Sequence, residues 1–335
     1  MVFFFCEDEP LCYQHSFENC SAEQESEVRR MQHTIEIKNV NKFYGKKQAL
    51  KDIDLTIEQG MFGLLGRNGA GKTTLMKLLA TLHGKQSGEI TVCGVPVEKT
   101  KEIRSMTGYL PQEFSMYPSM KVAECLDYLG VLSGMSKAER KERIPKLLKK
   151  VNLTDKKNSK VKSLSGGMKR RLGIAQALLH NPKVLIVDEP TAGLDPEERI
   201  RFRNLLCEVA EERIVLLSTH IVGDIEATCE QIAIMNEGEI LWKGTVTELL
   251  ENARGKVFTA LVNREQLAEL KKQYIVTSML QQGASVEVRF LADKAEEEKT
   301  LLLQKIAMVP AEPNCEDAYM YCLHQHGCDV MGGEE

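Results

Sequence analysis

The string GRNGAGKTT at residues 66–74 constrains this chain more than any other feature. The pattern Gly66-x4-Gly71-Lys72-Thr73 follows an apolar stretch at 61–65 that reads as a strand, and it opens a segment, 72–82, that reads as a helix. Glycines leave room for successive backbone N–H groups to converge on an anion, and the helix start adds the positive end of its dipole. Such a loop cradles nucleotide phosphates. Gly66, Arg67, Asn68, Gly69, Ala70, Gly71, Lys72, Thr73 and Thr74 are therefore expected to bind nucleotide. Lys72 is assigned to the β and γ phosphates and Thr73 to Mg²⁺.

A second string, VLIVDEP at 184–190, ends a short apolar run on two acids. An uninterrupted run of this kind marks a strand buried on both faces of a parallel sheet. A carboxylate at its tip is costly unless a cation meets it. Asp188 is thus expected to hold Mg²⁺, and Glu189, pointing elsewhere, to polarise an attacking water.

With 335 residues the chain has length for one or two domains. A net charge of −4 gives no global attraction to nucleic acid or anionic lipid, and no nucleic-acid partner is expected. The longest unbroken apolar run, Met1–Cys6, is far short of the ~20 residues of a membrane span. It also fails as a signal peptide, since acids follow it and no basic segment precedes it. A cytosolic location is expected. The ten cysteines are scattered without a CxxC pair and read as reduced thiols. CLHQHGC at 322–328 does not present its Cys and His residues on one helical face, so no zinc site is expected there.

Residues 1–30 lack a clear period and read as a disordered extension, or as lying ahead of a true start at Met31. Strands are expected at 34–40, 52–58, 61–65, 107–111, 183–188 and 214–220, with β hairpins at 88–97 and 232–244. Helices are expected at 101–106, 196–211 and 221–229, and residues 119–160 read as helical with a lysine-rich, solvated face. Strands alternating with helices indicate an α/β sheet. Beyond about residue 252 the texture changes. Strands at 257–262, 275–280 and 286–291 and helices at 263–272, 294–307 and 314–325 read as a small α+β domain.

A third string, LSGGM at 164–168, has no role in ordinary phosphate-binding folds. Together the three strings resemble an ATP-binding cassette (ABC) ATPase over roughly residues 34–245. The resemblance implies a P-loop NTPase cassette at 31–250, with antiparallel β and helical subdomains, and an accessory α+β domain at 251–335. It assigns Tyr44 to adenine stacking, Gln112 to Mg²⁺ and to communication with a membrane partner, and His220 to the γ-phosphate. Ser165, Gly166 and Gly167 match the signature loop, and Asp195 matches the loop that crosses the dimer interface. Met168 departs from the family's usual glutamine; the serine and backbone amides carry the phosphate contact, so function is expected to survive.

The resemblance further implies ATP and Mg²⁺ as ligands, with Glu189, His220 and Lys72 as the catalytic set. One set of motifs in this chain implies a dimer, homo or hetero, with two ATP molecules at its seam. A separate membrane permease is the expected partner, met at the inner face of the cell membrane by a helix docking on segment 112–135. The tail at 252–335, with EPNCEDAYMYCL toward its end, resembles that of bacterial drug- and bacteriocin-type exporters, which points to export. The nearest rival is a non-transport ABC ATPase acting on ribosomes or nucleic acid, but its usual tandem cassettes or long coiled coils are not found here.

Overall fold

A computed structural model describes residues 34–292 and 306–329. The expected extension at 1–30, and all but the end of the helix expected at 294–307, lie outside the described residues. Strands β1 (Thr34–Tyr44) and β2 (Lys47–Glu58) form an antiparallel hairpin closed at Gly45, whose φ is +59°. Both run further toward the turn than the sequence pattern suggests. Bulges around Val40 and Lys42 break the alternation of period two, so the buried positions slip phase where the pattern fades.

Strand β3 (Gly60–Leu65) leads through the glycine-rich loop into helix α1 (Lys72–Leu79). Strands β4 (Ser87–Val92) and β5 (Val95–Pro96) complete a sheet in the order β2-β1-β4-β5. Helix α2 (Thr100–Met106) and strand β6 (Thr107–Leu110) follow. The helical region then divides into α3 (Val122–Leu132) and α4 (Lys137–Lys150). One continuous helix is prevented by Gly134, at φ +76°, which ends the first in a left-handed turn. Ser136 begins the second through a reciprocal cap with Glu139. Ile144, Leu147 and Leu148 of α4 are buried, while Lys146, Lys149 and Lys150 face outward, as the solvated-face reading expects.

Helix α5 (Gly166–Ala177), strand β7 (Val184–Asp188), helix α6 (Pro196–Ala210), strand β8 (Ile214–Thr219) and helix α7 (Val222–Thr228) come next. The hairpin of β9 (Gln231–Asn236) and β10 (Glu239–Thr245) closes the central sheet, and α8 (Val246–Asn252) follows it. The order is β10-β9-β3-β8-β7-β6, parallel except for β10. Every residue of β7 and β8 is buried, as two-sided packing of parallel strands demands. The carboxyl ends of β3, β6, β7 and β8 open on one edge, where doubly wound sheets bind ligands.

Two apolar cores flank this sheet. One lies between it and the antiparallel sheet, around Leu64, Leu75 and Ile186. The other lies beneath the helices, around Val187, Leu172 and Phe202. Strand β11 (Val257–Val262), helix α9 (Arg264–Gln273), β12 (Ile275–Gln282), β13 (Ser285–Leu291) and β14 (Met308–Pro310) build a third sheet, ordered β12-β13-β11-β14. Asn263 caps α9 reciprocally with Gln266, at the spacing read from the sequence. Phe258, Leu270, Val288 and Phe290 form its small core. The last helix, α10 (Cys315–Gln325), packs on α7 and α8. It places Ala318, Cys322 and Leu323 in the same core as Val187 and Phe202. Among the described residues, no helix is long and apolar enough to cross a membrane.

Truncating Leu323, which is fully buried, leaves a cavity between α10 and the helices beneath it. Leu323→Ala is expected to destabilise the chain by about 2–5 kcal/mol, read as a lowered melting temperature by circular dichroism. An unchanged melting temperature would show that α10 is not part of this core.

Candidate active site

The glycine-rich loop wraps a cleft of about 680 Å³ at the carboxyl edge of the central sheet. Asn68 through Thr74 form its floor, and Tyr44, Gln112 and Glu189 stand around it. Gly66 sits under the loop where no side chain fits: a Cβ there would lie 2.2 Å from the Met235 carbonyl oxygen. Gly71, at φ +106°, starts α1 and would likewise press on the Ala49 carbonyl at 2.7 Å. These two glycines let the loop hug β9 and β2, with Asn68 to Thr74 lining the cleft.

Lys72 is almost fully buried. Its ammonium donates to the carbonyls of Gly66 at 2.7 Å and Arg67 at 3.0 Å, and it lies 3.5 Å from Glu189 Oε1. Burial pulls the Lys72 ammonium below its usual range, opposed by the Glu189 carboxylate beside it.

Glu189 is a junction. Its Oε2 lies 3.0 Å from His220 Nδ1 and accepts from the Gln112 side-chain amide at 3.3 Å. The residue has φ +44°, unusual for a non-glycine, which turns it off the axis of β7 into the cleft. His220 arrives from the end of β8 and Gln112 from just beyond β6, so three neighbouring parallel strands deliver the three partners.

Asp188, fully buried at the tip of β7, accepts from the Ser218 hydroxyl through Oδ1 at 2.9 Å, while its Oδ2 is buried with no hydrogen-bond partner. Burial pushes this carboxyl up, and the Ser218 hydroxyl, with the Thr73 hydroxyl close by, opposes the shift. An orphaned carboxylate oxygen beside a threonine hydroxyl is the hard-oxygen donor set that Mg²⁺ takes, so these residues fit the ion.

Tyr44 stands half exposed at the lip, its ring edge-on to His83 at 5.9 Å and with the Lys42 ammonium 5.2 Å from its centroid. Sequence reading missed Lys47, Gln48, Glu237 and Gly238, which also line the cleft. Glu237 and Gly238 are the turn of the β9–β10 hairpin, with φ of +46° and +87°. The Gly238 amide donates to the Ala70 carbonyl at 2.9 Å. The tight hairpin was legible in the sequence; its contact with a loop more than a hundred residues earlier was not.

Ser165, Gly166, Gly167 and Asp195 stand apart from this cleft. Ser165 caps α5 by accepting from the Met168 amide at 3.2 Å, and Asp195 caps α6 by accepting from the Glu198 amide at 2.9 Å. Gly167 lets the two helices approach, for a Cβ there would meet Glu198 Oε2 at 2.5 Å. Glu198 in turn bridges Arg171 at 3.3 Å and Arg201 at 3.1 Å. The signature glycines are thus presented on a braced helix start that this chain's own cleft does not use.

Comparison with known proteins places this arrangement. A family model described as ABC transporter matches residues 50–192. The chain is 38% identical over 260 residues to YxlF, an uncharacterised ABC transporter ATP-binding protein of Bacillus subtilis (strain 168), covering 77% of this chain and 87% of that one. It is 32% identical over 301 residues to the linearmycin resistance ATP-binding protein LnrL of the same organism, covering 85% and 97%. The chain belongs to the ABC transporter ATP-binding family. Its fold matches a bacterial ABC transporter cassette solved as a dimer, with a TM-score of 0.58 at 28% identity over 63% of this chain and 98% of that one. The ABC cassette read from the three sequence strings is therefore the fold observed, with the mixed α/β sheets expected of it.

Because the Met235 carbonyl is backbone, it cannot yield to a methyl group at position 66. Gly66→Ala is expected to lower nucleotide affinity about tenfold or more, in line with the 1–3 kcal/mol cost of overpacking. Titration with a fluorescent nucleotide checks this, and an unchanged affinity would contradict the packing described.

Proposed function

We propose that this ABC cassette hydrolyses ATP at the seam of a two-cassette dimer and powers a separate membrane permease, in the direction of export. The observation that carries the reading is Glu189, whose carboxylate is met in one cleft by Lys72, Gln112 and His220.

The residues divide the work. Backbone amides of Gly69 to Thr74 and the Lys72 ammonium hold the phosphates, and Tyr44 offers its exposed ring to the base. Arrival of phosphate oxygens gives Lys72 a second anionic partner and frees Glu189 to turn toward a water. Glu189 accepts a proton of that water as its oxygen bonds to the γ-phosphorus and the bond from that phosphorus to the β,γ-bridging oxygen breaks, releasing ADP and inorganic phosphate, and His220, hydrogen-bonded to Glu189, keeps the carboxylate aimed. Thr73, Asp188 and Gln112 would hold Mg²⁺, which when bound would supply positive charge to offset that of the phosphates. Ser165, Gly166 and Gly167 serve the partner's nucleotide: a helix start carrying a serine and free amides is built to receive an anion. Asp195, at the start of the neighbouring helix, lies at the same seam.

Segment 112–135 exposes Tyr117, Tyr128, Val131 and Leu132. In this reading the apolar strip is the face offered to a permease helix, with the cassette on the cytoplasmic side of the membrane. Export rather than uptake is supported by similarity to proteins named for Nod factor export, while a methionine import ATP-binding protein is also similar. Residues 251–335 act as an accessory unit attached to the cassette. An uptake system is the competing outcome of a transport assay with the cognate permease.

Glu189→Gln is expected to keep ATP binding, to slow turnover by ~10²-fold or more, and to accumulate an ATP-bound dimer visible by size-exclusion chromatography. Undiminished turnover would remove Glu189 from the chemistry.

A further inference from the structure

Helix α10 joins two parts of the molecule. At its start Asp317 is fully buried and receives Arg289 Nε at 2.8 Å and the Thr277 hydroxyl at 2.6 Å, both from the C-terminal sheet. The Asn314 amide completes the set at 2.9 Å. A buried carboxylate with several donors, one of them charged, is a stiff attachment, because withdrawing any partner leaves charge unmatched. The helix then crosses α7 and α8 with Ala318, Cys322 and Leu323 in the core.

The chain just beyond its far end touches the hairpin that borders the nucleotide cleft. Cys328 Sγ accepts from the Asn236 side-chain amide at 3.3 Å. Asn236 is the last residue of β9, immediately before the Glu237–Gly238 turn that lines the cleft and holds the phosphate loop at Ala70. Midway along α10, Tyr319 lies near Arg67 of the loop: burial pushes its phenol up, and the guanidinium opposes this. The Arg67 carbonyl is one of the two that hold the Lys72 ammonium. The phosphate loop is therefore held at Ala70 by the β9–β10 turn, and the residue just ahead of that turn, Asn236, is held in turn by the segment that follows α10.

Resting on the reading of the cleft as the ATP site, we propose that α10 is a strut that carries the position of the C-terminal sheet to the phosphate loop, with Asp317 as its anchor and Asn236 and Cys328 as positioning residues at the loop. A partner that shifts this sheet then changes how tightly ATP is held, while the Glu189 chemistry is left alone. None of the three residues lines the cleft, so each acts through the hairpin turn or the helix.

The test uses the full chain and four proteins: wild type, Cys328→Ala, Cys328→Ser and Asp317→Asn. ATP affinity is read by fluorescent-nucleotide titration, and KM and kcat by steady-state hydrolysis. Cys328→Ala and Asp317→Asn are expected to raise Kd and KM about two- to tenfold, the range of one net hydrogen bond, with kcat within about twofold. Cys328→Ser, whose hydroxyl oxygen still accepts from Asn236, is expected to keep wild-type values. Should Asp317→Asn fail to fold, the Cys328 pair decides alone. Unchanged KM in Cys328→Ala, an equal change in the serine variant, or a fall in kcat at constant KM would each overturn the strut. A wild type without saturable ATP binding would instead overturn the reading of the cleft itself.

Discussion

The rest of the structure depends on how three buried charges are balanced at the carboxyl end of the parallel sheet. Lys72, Asp188 and Glu189 are each almost out of water. Taking such groups from solvent costs several kcal/mol apiece, and a partner at 3.5 Å returns only part of it. Asp188 keeps an oxygen with no partner at all, and Lys72 leans on two carbonyls. This is a poor way to stabilise a fold and a good way to await a phosphate chain and a divalent cation. On the proposed reading, the ligand supplies the missing charge and is held by the same groups that were uncomfortable without it.

The surrounding architecture keeps those charges in place. Strands β7 and β8 are apolar along their whole length, so their tips can be fixed only by packing from both sides. The two cores provide that packing, and Ser218, from the neighbouring strand, holds one oxygen of Asp188. The second anion site follows different rules. Ser165 and the glycines after it start a helix braced through Arg171, a buried charge that Glu198 meets at 3.3 Å within the same chain. On the proposed reading one surface of the chain needs a nucleotide, another, elsewhere on it, receives the partner's, and two chains facing each other satisfy both needs.

Much of this was legible in the residues. Glycines spaced for a phosphate loop, a strand ending in two acids, and a second glycine pair before a helix are local patterns with local causes. Their chemistry survives whatever the distant parts of the chain do. The central sheet was legible for the same reason, since two-sided burial writes itself as unbroken apolar runs. What stayed hidden was long-range or irregular. The β1–β2 hairpin looked shorter because bulges shift its alternation. Lysine-rich residues 119–160 looked like one helical stretch because Gly134 and Ser136 are an ending and a beginning only when taken together. Glu237 and Gly238 reach the cleft by tertiary packing, and no spacing rule links them to Ala70. The docking of α10 was hidden too, for its apolar residues announce a buried face without saying against what.

The central claim is that one chain carries two halves of two different sites. The most direct measurement is ATP turnover per chain of the purified protein across a dilution series, followed in parallel by analytical ultracentrifugation. Turnover per chain is predicted to fall on dilution, in step with loss of an ATP-dependent dimer, and to plateau where the dimer is saturated. A constant rate per chain from a species that sediments as a monomer at every concentration would contradict it.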